Sequence, residues 1–255
     1  SRPLWYDEAF SVLFSEKGPA AMLIGTLSTT PTGAADIHPI TYYTMLWEWM
    51  RLFGESPVAV RSLSILAGLG VVGLVFVIAR ALFGNRVALA AGMLASLAPF
   101  QVHYAQEIRM YVFLCLWLLA ATYCYWRGSR EAGWGWWLGF AVCAALAQYT
   151  HNLAVFYLLP LAAWPLFGRN WQVVRRVTAS GLLAVALYLP WLVNVPAQLA
   201  KVEQNYWTQR PEPYRFLSLL LYYVTNLPLP GWHLVAGLLA TLSLVALALV
   251  QAGRG

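Results

Sequence analysis

Residues 58–82 read VAVRSLSILAGLGVVGLVFVIARAL, a run with no carboxylate anywhere in it. A helix needs roughly 20 consecutive apolar residues to cross the hydrocarbon core of a bilayer, and this run is long enough. Working outward from it, further apolar runs follow at 87–104, 110–126, 136–149, 153–167, 177–195 and 232–250. The chain therefore reads as all-α, a polytopic helical membrane protein with about seven spanning helices.

Composition points the same way. Of 255 residues, 60% are hydrophobic and 10% are charged, where a soluble domain carries about a quarter charged residues. Mean hydropathy is +0.61. Thirteen Trp and fourteen Tyr suit side chains that settle at membrane interfaces. The net charge is +6, but the basic residues are scattered singly and form no patch for nucleic acid. Cys115, Cys124 and Cys143 fall inside apolar runs without CxxC spacing and read as small hydrophobes, not as metal ligands or a disulfide framework.

Residues 1–56 contain no spanning run and form a first outer loop with interfacial helices. Residues 7–17 suit a short interfacial helix, and 28–35 are a loop by their Pro and Gly content. Pro39 fits the first turn of a helix with His38 as its cap. From there 40–53 reads as an amphipathic helix lying on the membrane, ended by Gly54. Near the other end, 196–213 is a polar stretch before a helix at 214–227. The abrupt polar start, and an end just after an apolar run, suggest an excerpt of a longer protein lacking a first span and a C-terminal part.

Charge sets the orientation. With Asp7 outside, the short inner turns hold Arg80, Arg86, Arg127, Arg130, Arg169, Arg175, Arg176 and Arg254 against one acid, Glu131. Basic inner turns are what topology requires. His38, His103, His151 and His233 then all lie at or near the outer surface.

The outer side also carries the residues able to do chemistry. Asp7 and Glu8 are adjacent, so on a helix they diverge by about 100° and take different partners. One reading makes a carboxylate the general base for an acceptor hydroxyl; the other makes the pair a helix cap stabilised by the backbone dipole. His38 and Tyr42 share a face if the helix extends back to residue 38; otherwise the histidine is a cap and the tyrosines a belt. Arg109, entering an apolar helix, needs an anion or the headgroup layer, and its fork suits phosphate oxygens. Pairing with Glu107 is the alternative. The turn 148–152 (QYTHN) and the stretch 205–210 (NYWTQR) interleave aromatics with hydrogen-bonding groups, as a sugar site does and as an ordinary interfacial loop also does.

Together, and in this order, the clusters resemble the multi-spanning glycosyltransferases of the GT-C superfamily. The likeness is to protein O-mannosyltransferases and the lipid A aminoarabinose transferase, the glycosyltransferase family 39 type. It rests on Trp5-Tyr6-Asp7-Glu8-Ala9, on His38-Pro39 with Tyr42-Tyr43, and on Arg51 to Ser56. Arg61 to Ser64, Gln106-Glu107 with Arg109-Met110-Tyr111, Tyr149-Thr150-His151 and Tyr188 to Trp191 complete it. Ile40 stands where the family usually has a second proline.

The resemblance implies sugar transfer, with inversion, from a polyprenyl-phosphate carrier to an acceptor hydroxyl of a protein, glycan or lipid on the non-cytoplasmic face of a bacterial cell membrane. It implies Asp7 as base or acceptor-orienting group, with Glu8 and Glu107 as further acidic residues of the site. Arg109 and Tyr111 would bind the donor phosphate, and His38, Tyr42, Tyr43, Gln106 and His151 would shape the pocket. Some members of the superfamily use a divalent cation, for which Glu8, Glu107 and His151 are the candidate ligands. The competing expectations are a transporter or flippase of a lipid-linked substrate, for which Pro160, Pro165 and Pro190 could break helices, and a non-catalytic subunit of a membrane complex.

Overall fold

A computed structural model describes residues 3–27 and 38–205, with isolated helical positions beyond residue 218. Every regular element among them is a helix. Three lie ahead of the first apolar run: α1 (Tyr6–Glu16), α2 (Gly18–Leu27) and α3 (Thr41–Phe53). Then come α4 (Pro57–Phe83), α5 (Asn85–Leu97), α6 (Pro99–Ala105), α7 (Tyr111–Arg130) and α8 (Gly135–Thr150). A single 3-10 turn, Asn152–Ala154, leads into α9 (Val155–Phe167), followed by α10 (Trp171–Leu192) and α11 (Val195–Asn205). The helices fall into two units, Ser1–Ser96 with Tyr104–Tyr206 and Leu97–His103 with Trp207–Gly255. The site described below lies in the first.

Local chemistry sets the boundaries. Ser56 caps α4, its Oγ accepting from Ala59 N–H at 3.2 Å, and Pro57 occupies the first helical position, where its missing N–H costs nothing. Gly54, at φ +82°, ends α3 in a conformation that side chains with a Cβ rarely adopt. Asn170 caps α10 by accepting from Val173 N–H at 3.2 Å.

Two cores hold the first unit together. In one, Val12 and Phe14 of α1, Met22 of α2, and Tyr42, Tyr43, Leu46 and Met50 of α3 pack on Val60, Leu63, Ala67 and Val71 of α4 and on Ile108 to Phe113. The buried positions of α3 recur every four residues, so one stripe faces inward. Phe14 meets Tyr43 edge-on at 5.0 Å and stacks on Phe10 at 5.4 Å, pairs that add about 0.5–1.5 kcal/mol each beyond their burial. Along α4, a Cβ on Gly68 would stand 2.7 Å from Ala105 Cβ, so this glycine lets the chain leading to Glu107 lie close against the helix. The second core joins α7, α8 and α10 around Trp137, Phe140, Ala144 and Val177.

Several expectations are corrected. Two helices, α4 with 27 residues and α10 with 22, are long and apolar enough to cross a membrane alone; α5 with α6, as one broken span, makes three. Seven is not reached among the described residues. The 16 residues of α8 reach about 24 Å at 1.5 Å per residue, and the second half of α7 is diluted by Tyr123, Trp126, Arg127 and Arg130. Pro160 and Pro165 sit inside α9 and Pro190 inside α10. α10 begins at Trp171, six residues before the apolar run, because its backbone continues through Arg175 and Arg176 back to the Asn170 cap. Val195, expected to end a span, and 196–205, expected to be part of a polar stretch, form α11, with Pro196 in its first turn. α2 adds a second short helix between the expected interfacial helix and the loop at 28–35. α3 starts at Thr41 with Ile40 as N-cap, so His38 is not the cap and shares no helical face with Tyr42. The expected loop 28–35, residues 206–213, the helix at 214–227 and most of the span at 232–250 lie outside the described residues, as do His233 and Arg254.

Candidate active site

α1 opens with Asp7 and Glu8 in its first turn. Glu8 reaches back over the helix start, its Oε2 accepting from Trp5 N–H at 3.4 Å. Its carboxylate is only 2% exposed. There Arg61, one turn into α4, donates from Nη2 to Oε2 at 2.7 Å and from Nε to Oε1 at 3.4 Å. A third donor comes from far along the chain, where Ile108 N–H points at Glu8 Oε1 at 3.3 Å. Asp7, turned about 100° from Glu8, is only partly buried.

Residues Glu107 to Met110, between α6 and α7, are all buried. Arg109 Nη1 donates to Ser11 Oγ at 3.5 Å, and Ser11 Oγ donates to the carbonyl of Asp7 at 2.9 Å. Positions 7 and 109 therefore share Ser11 and stand on the same side of the unit. The Arg109 guanidinium also lies 5.8 Å from the Tyr111 ring centre, within cation–π range.

Tyr42 adds a hydroxyl to this cluster. Burial raises its pKa well above the usual tyrosine range, so it stays protonated. Ser64 and Arg109 ease that shift, while Glu8 and Glu107 reinforce it. The Tyr42 and Ser64 hydroxyls lie near each other, though neither makes a hydrogen bond of good geometry. Tyr43, fully buried, packs on Phe10, Phe14 and Tyr42 and belongs to the core.

A ring of aromatics continues from Tyr111. Its ring centre lies 5.6 Å from Tyr104 and 6.3 Å from His151, and His151 meets His38 edge-on at 4.7 Å. His151 Nδ1 accepts from Leu153 N–H at 3.2 Å, which leaves the proton of the neutral ring on Nε2. Next to it, Asn152 Oδ1 accepts from the Tyr188 hydroxyl at 2.5 Å. Gln106 is exposed. From Tyr188 an apolar groove of about 280 Å³ runs between α8, α9 and α10, with Phe140, Leu158, Val177 and Leu182 among its walls and Gln148 in its lining.

Glu8, Glu107 and His151 are not gathered into one cluster of ligands. Among the described residues no three His, Cys, Asp or Glu side chains converge to hold an ion. Glu8 in particular already accepts from a guanidinium and two backbone N–H groups.

Two residues to which the sequence assigns no chemical role are central to the geometry, though one of them, Arg61, belongs to a motif of the resemblance. Arg61 was visible as a lone guanidinium one turn into a spanning run, a placement that requires an anionic partner or the headgroup layer. Ser11 follows Asp7 by four residues, and only the helix geometry shows that its hydroxyl lies between Asp7 and Arg109.

No solved structure matches the chain. It is 30% identical over 177 residues to the undecaprenyl phosphate-alpha-4-amino-4-deoxy-L-arabinose arabinosyl transferase of Pseudomonas aeruginosa (strain UCBPP-PA14). That alignment covers 66% of this chain but 32% of the relative, so the chain spans about a third of the length of the curated protein it matches. Residues 37–193, which carry Arg61, the Arg109 turn and the His38–His151 contact, match the family described as dolichyl-phosphate-mannose-protein mannosyltransferase. That stretch is more than half of the sequence, and the chain belongs to that family.

Proposed function

We propose that this protein is a membrane glycosyltransferase that moves a sugar from a polyprenyl-phosphate-linked donor to an acceptor hydroxyl on the non-cytoplasmic face of the cell membrane. The observation that carries the reading is the contact series Asp7–Ser11–Arg109. Through the backbone carbonyl of Asp7 it ties the helix turn that bears this partly exposed acid to a buried guanidinium about a hundred residues further along the chain. The family match and the lipid-phosphate donor named for the relative support it.

In this mechanism the acceptor oxygen attacks the anomeric carbon while the carbon–oxygen bond to the phosphate breaks. The bonding pair leaves with the carrier phosphate, and the acceptor proton passes to the Asp7 carboxylate. One in-line displacement inverts the anomeric configuration. Arg109 meets the charge growing on the departing phosphate, with Tyr111 against it, so the protein supplies positioning and electrostatics. His38, His151 and the protonated Tyr42 form the polar and aromatic surroundings, and Gln106 lies at the exposed edge. The groove beside Tyr188, about 280 Å³ and lined mainly by apolar side chains, suits the isoprenoid tail.

The test is turnover of a radiolabelled polyprenyl-phosphate sugar by the purified membrane protein. Asp7→Asn should abolish transfer and leave folding intact; wild-type turnover in that variant would remove Asp7 from the chemistry. Movement of the lipid-linked substrate across vesicles without sugar transfer would replace the reading with a transporter.

A further inference from the structure

We infer that the Glu8–Arg61 ion pair is a positioning device that fixes the register of α1, and with it Asp7, against the Arg109 turn; this rests on the roles given above to Asp7 and Arg109. An ionised carboxylate has about four acceptor positions, and those of Glu8 are taken. Oε2 accepts from Arg61 Nη2 at 2.7 Å and Trp5 N–H at 3.4 Å, and Oε1 from Ile108 N–H at 3.3 Å and Arg61 Nε at 3.4 Å. With 2% exposure the group has no surface left for a substrate. It is not a catalytic residue.

Its donors show what it holds. Arg61 is anchored in α4, the longest helix of the unit, and its Nη2 also donates to the Pro3 carbonyl at 3.2 Å, tying down the chain that enters α1. Trp5 N–H belongs to the start of α1 itself. Ile108 N–H belongs to the residue immediately before Arg109. One carboxylate thus joins the scaffold helix, the helix that carries Asp7 and the backbone that carries Arg109. A clip serving stability alone would need only α1 and α4.

The test uses the intact protein in lipid nanodiscs, in a background with Cys115, Cys124 and Cys143 replaced by alanine. Spin labels at Tyr6→Cys and Gln106→Cys, both exposed positions, report the distance between α1 and the turn before Arg109. Glu8→Gln should broaden that distance distribution and lower kcat roughly 10–100-fold, the scale of an ångström-sized misplacement. Donor KM should stay within about 3-fold, because Arg109 keeps its own turn. The acidic limb of the pH–rate profile should stay in place, and Arg61→Lys, which keeps the charge but loses the two-pronged contact with Glu8, should lower kcat less than Glu8→Gln does. An unchanged distance distribution with wild-type kcat would overturn the inference. So would loss of the acidic limb in Glu8→Gln, which would return Glu8 to the chemistry. If the unsubstituted protein transfers no sugar, the proposed function falls, and the distance measurement alone still decides whether the pair sets the register.

Discussion

Replacing Arg109 with alanine removes one of two guanidiniums in a region that also buries Glu8 and Glu107. The contact of Arg109 with Ser11, at 3.5 Å, is at the outer limit of a hydrogen bond and contributes little by itself. The side chain is 8% exposed and lies against the Tyr111 ring as well as Ser11. With a donor phosphate present, one charge-assisted hydrogen bond is worth about 1.5–3 kcal/mol net. At roughly 1.4 kcal/mol per factor of ten, Arg109→Ala should weaken donor binding on the order of 10–150-fold. Titration of the polyprenyl-phosphate donor into nanodisc-embedded protein, followed calorimetrically, measures this directly. Arg109→Lys keeps the charge but loses the planar fork, so it should recover part of the affinity. Donor affinity within a factor of two of wild type in Arg109→Ala, alongside a lowered melting temperature, would refute the phosphate role and leave Arg109 as a packing residue.

Two further predictions concern the opposite end of α7. A Cβ on Gly128 would sit 2.8 Å from Cε2 of the fully buried Trp137 indole, so Gly128→Ala should cost about 1–3 kcal/mol through overpacking; a melting temperature in micelles equal to wild type would contradict it. At the α7–α8 turn, the Arg127 guanidinium, with help from the Trp136 indole N–H, holds the exposed Glu131 carboxyl below the usual carboxylate range. A group with a lowered pKa stabilises the fold above its ordinary range and loses that contribution as pH falls through the folded value. Hydrogen-exchange protection at 131–135 should therefore drop in acid in the wild type and not in Glu131→Gln; equal pH dependence in both would dismiss the ion pair.

The helical scaffold was legible because apolar runs in so charge-poor a chain permit only helices in lipid. Boundaries were less so, for identifiable reasons. Hydropathy stopped at Arg175 and Arg176, but the α10 backbone did not, since arginine is a good helix former and the cap at Asn170 lay beyond them. His38-Pro39 looked like a helix start, yet Ile40 takes the N-cap position and His38 packs against His151 instead, a contact across 113 residues that no local pattern encodes. Tyr42 and Tyr43 were indistinguishable in sequence. On the helix one faces Ser64 and the charged cluster and the other faces Phe10 and Phe14.

The adjacency of Asp7 and Glu8 is explained by the same geometry. Neighbouring helical residues differ by about 100° in direction and 1.5 Å in height, so when Glu8 turns inward to Arg61, Asp7 is set at the edge of the buried face. Any residual tilt or slide of α1 moves both carboxylates together. Moving the acid from position 7 to position 11 would return it to nearly the same face but a turn lower, where the space is occupied by the Ser11 hydroxyl between Asp7 and Arg109. Moving it to position 9 would swing it about 200° away. A reactive carboxylate next to its own anchor is the arrangement in which one buried ion pair fixes the other group with the least intervening, flexible chain.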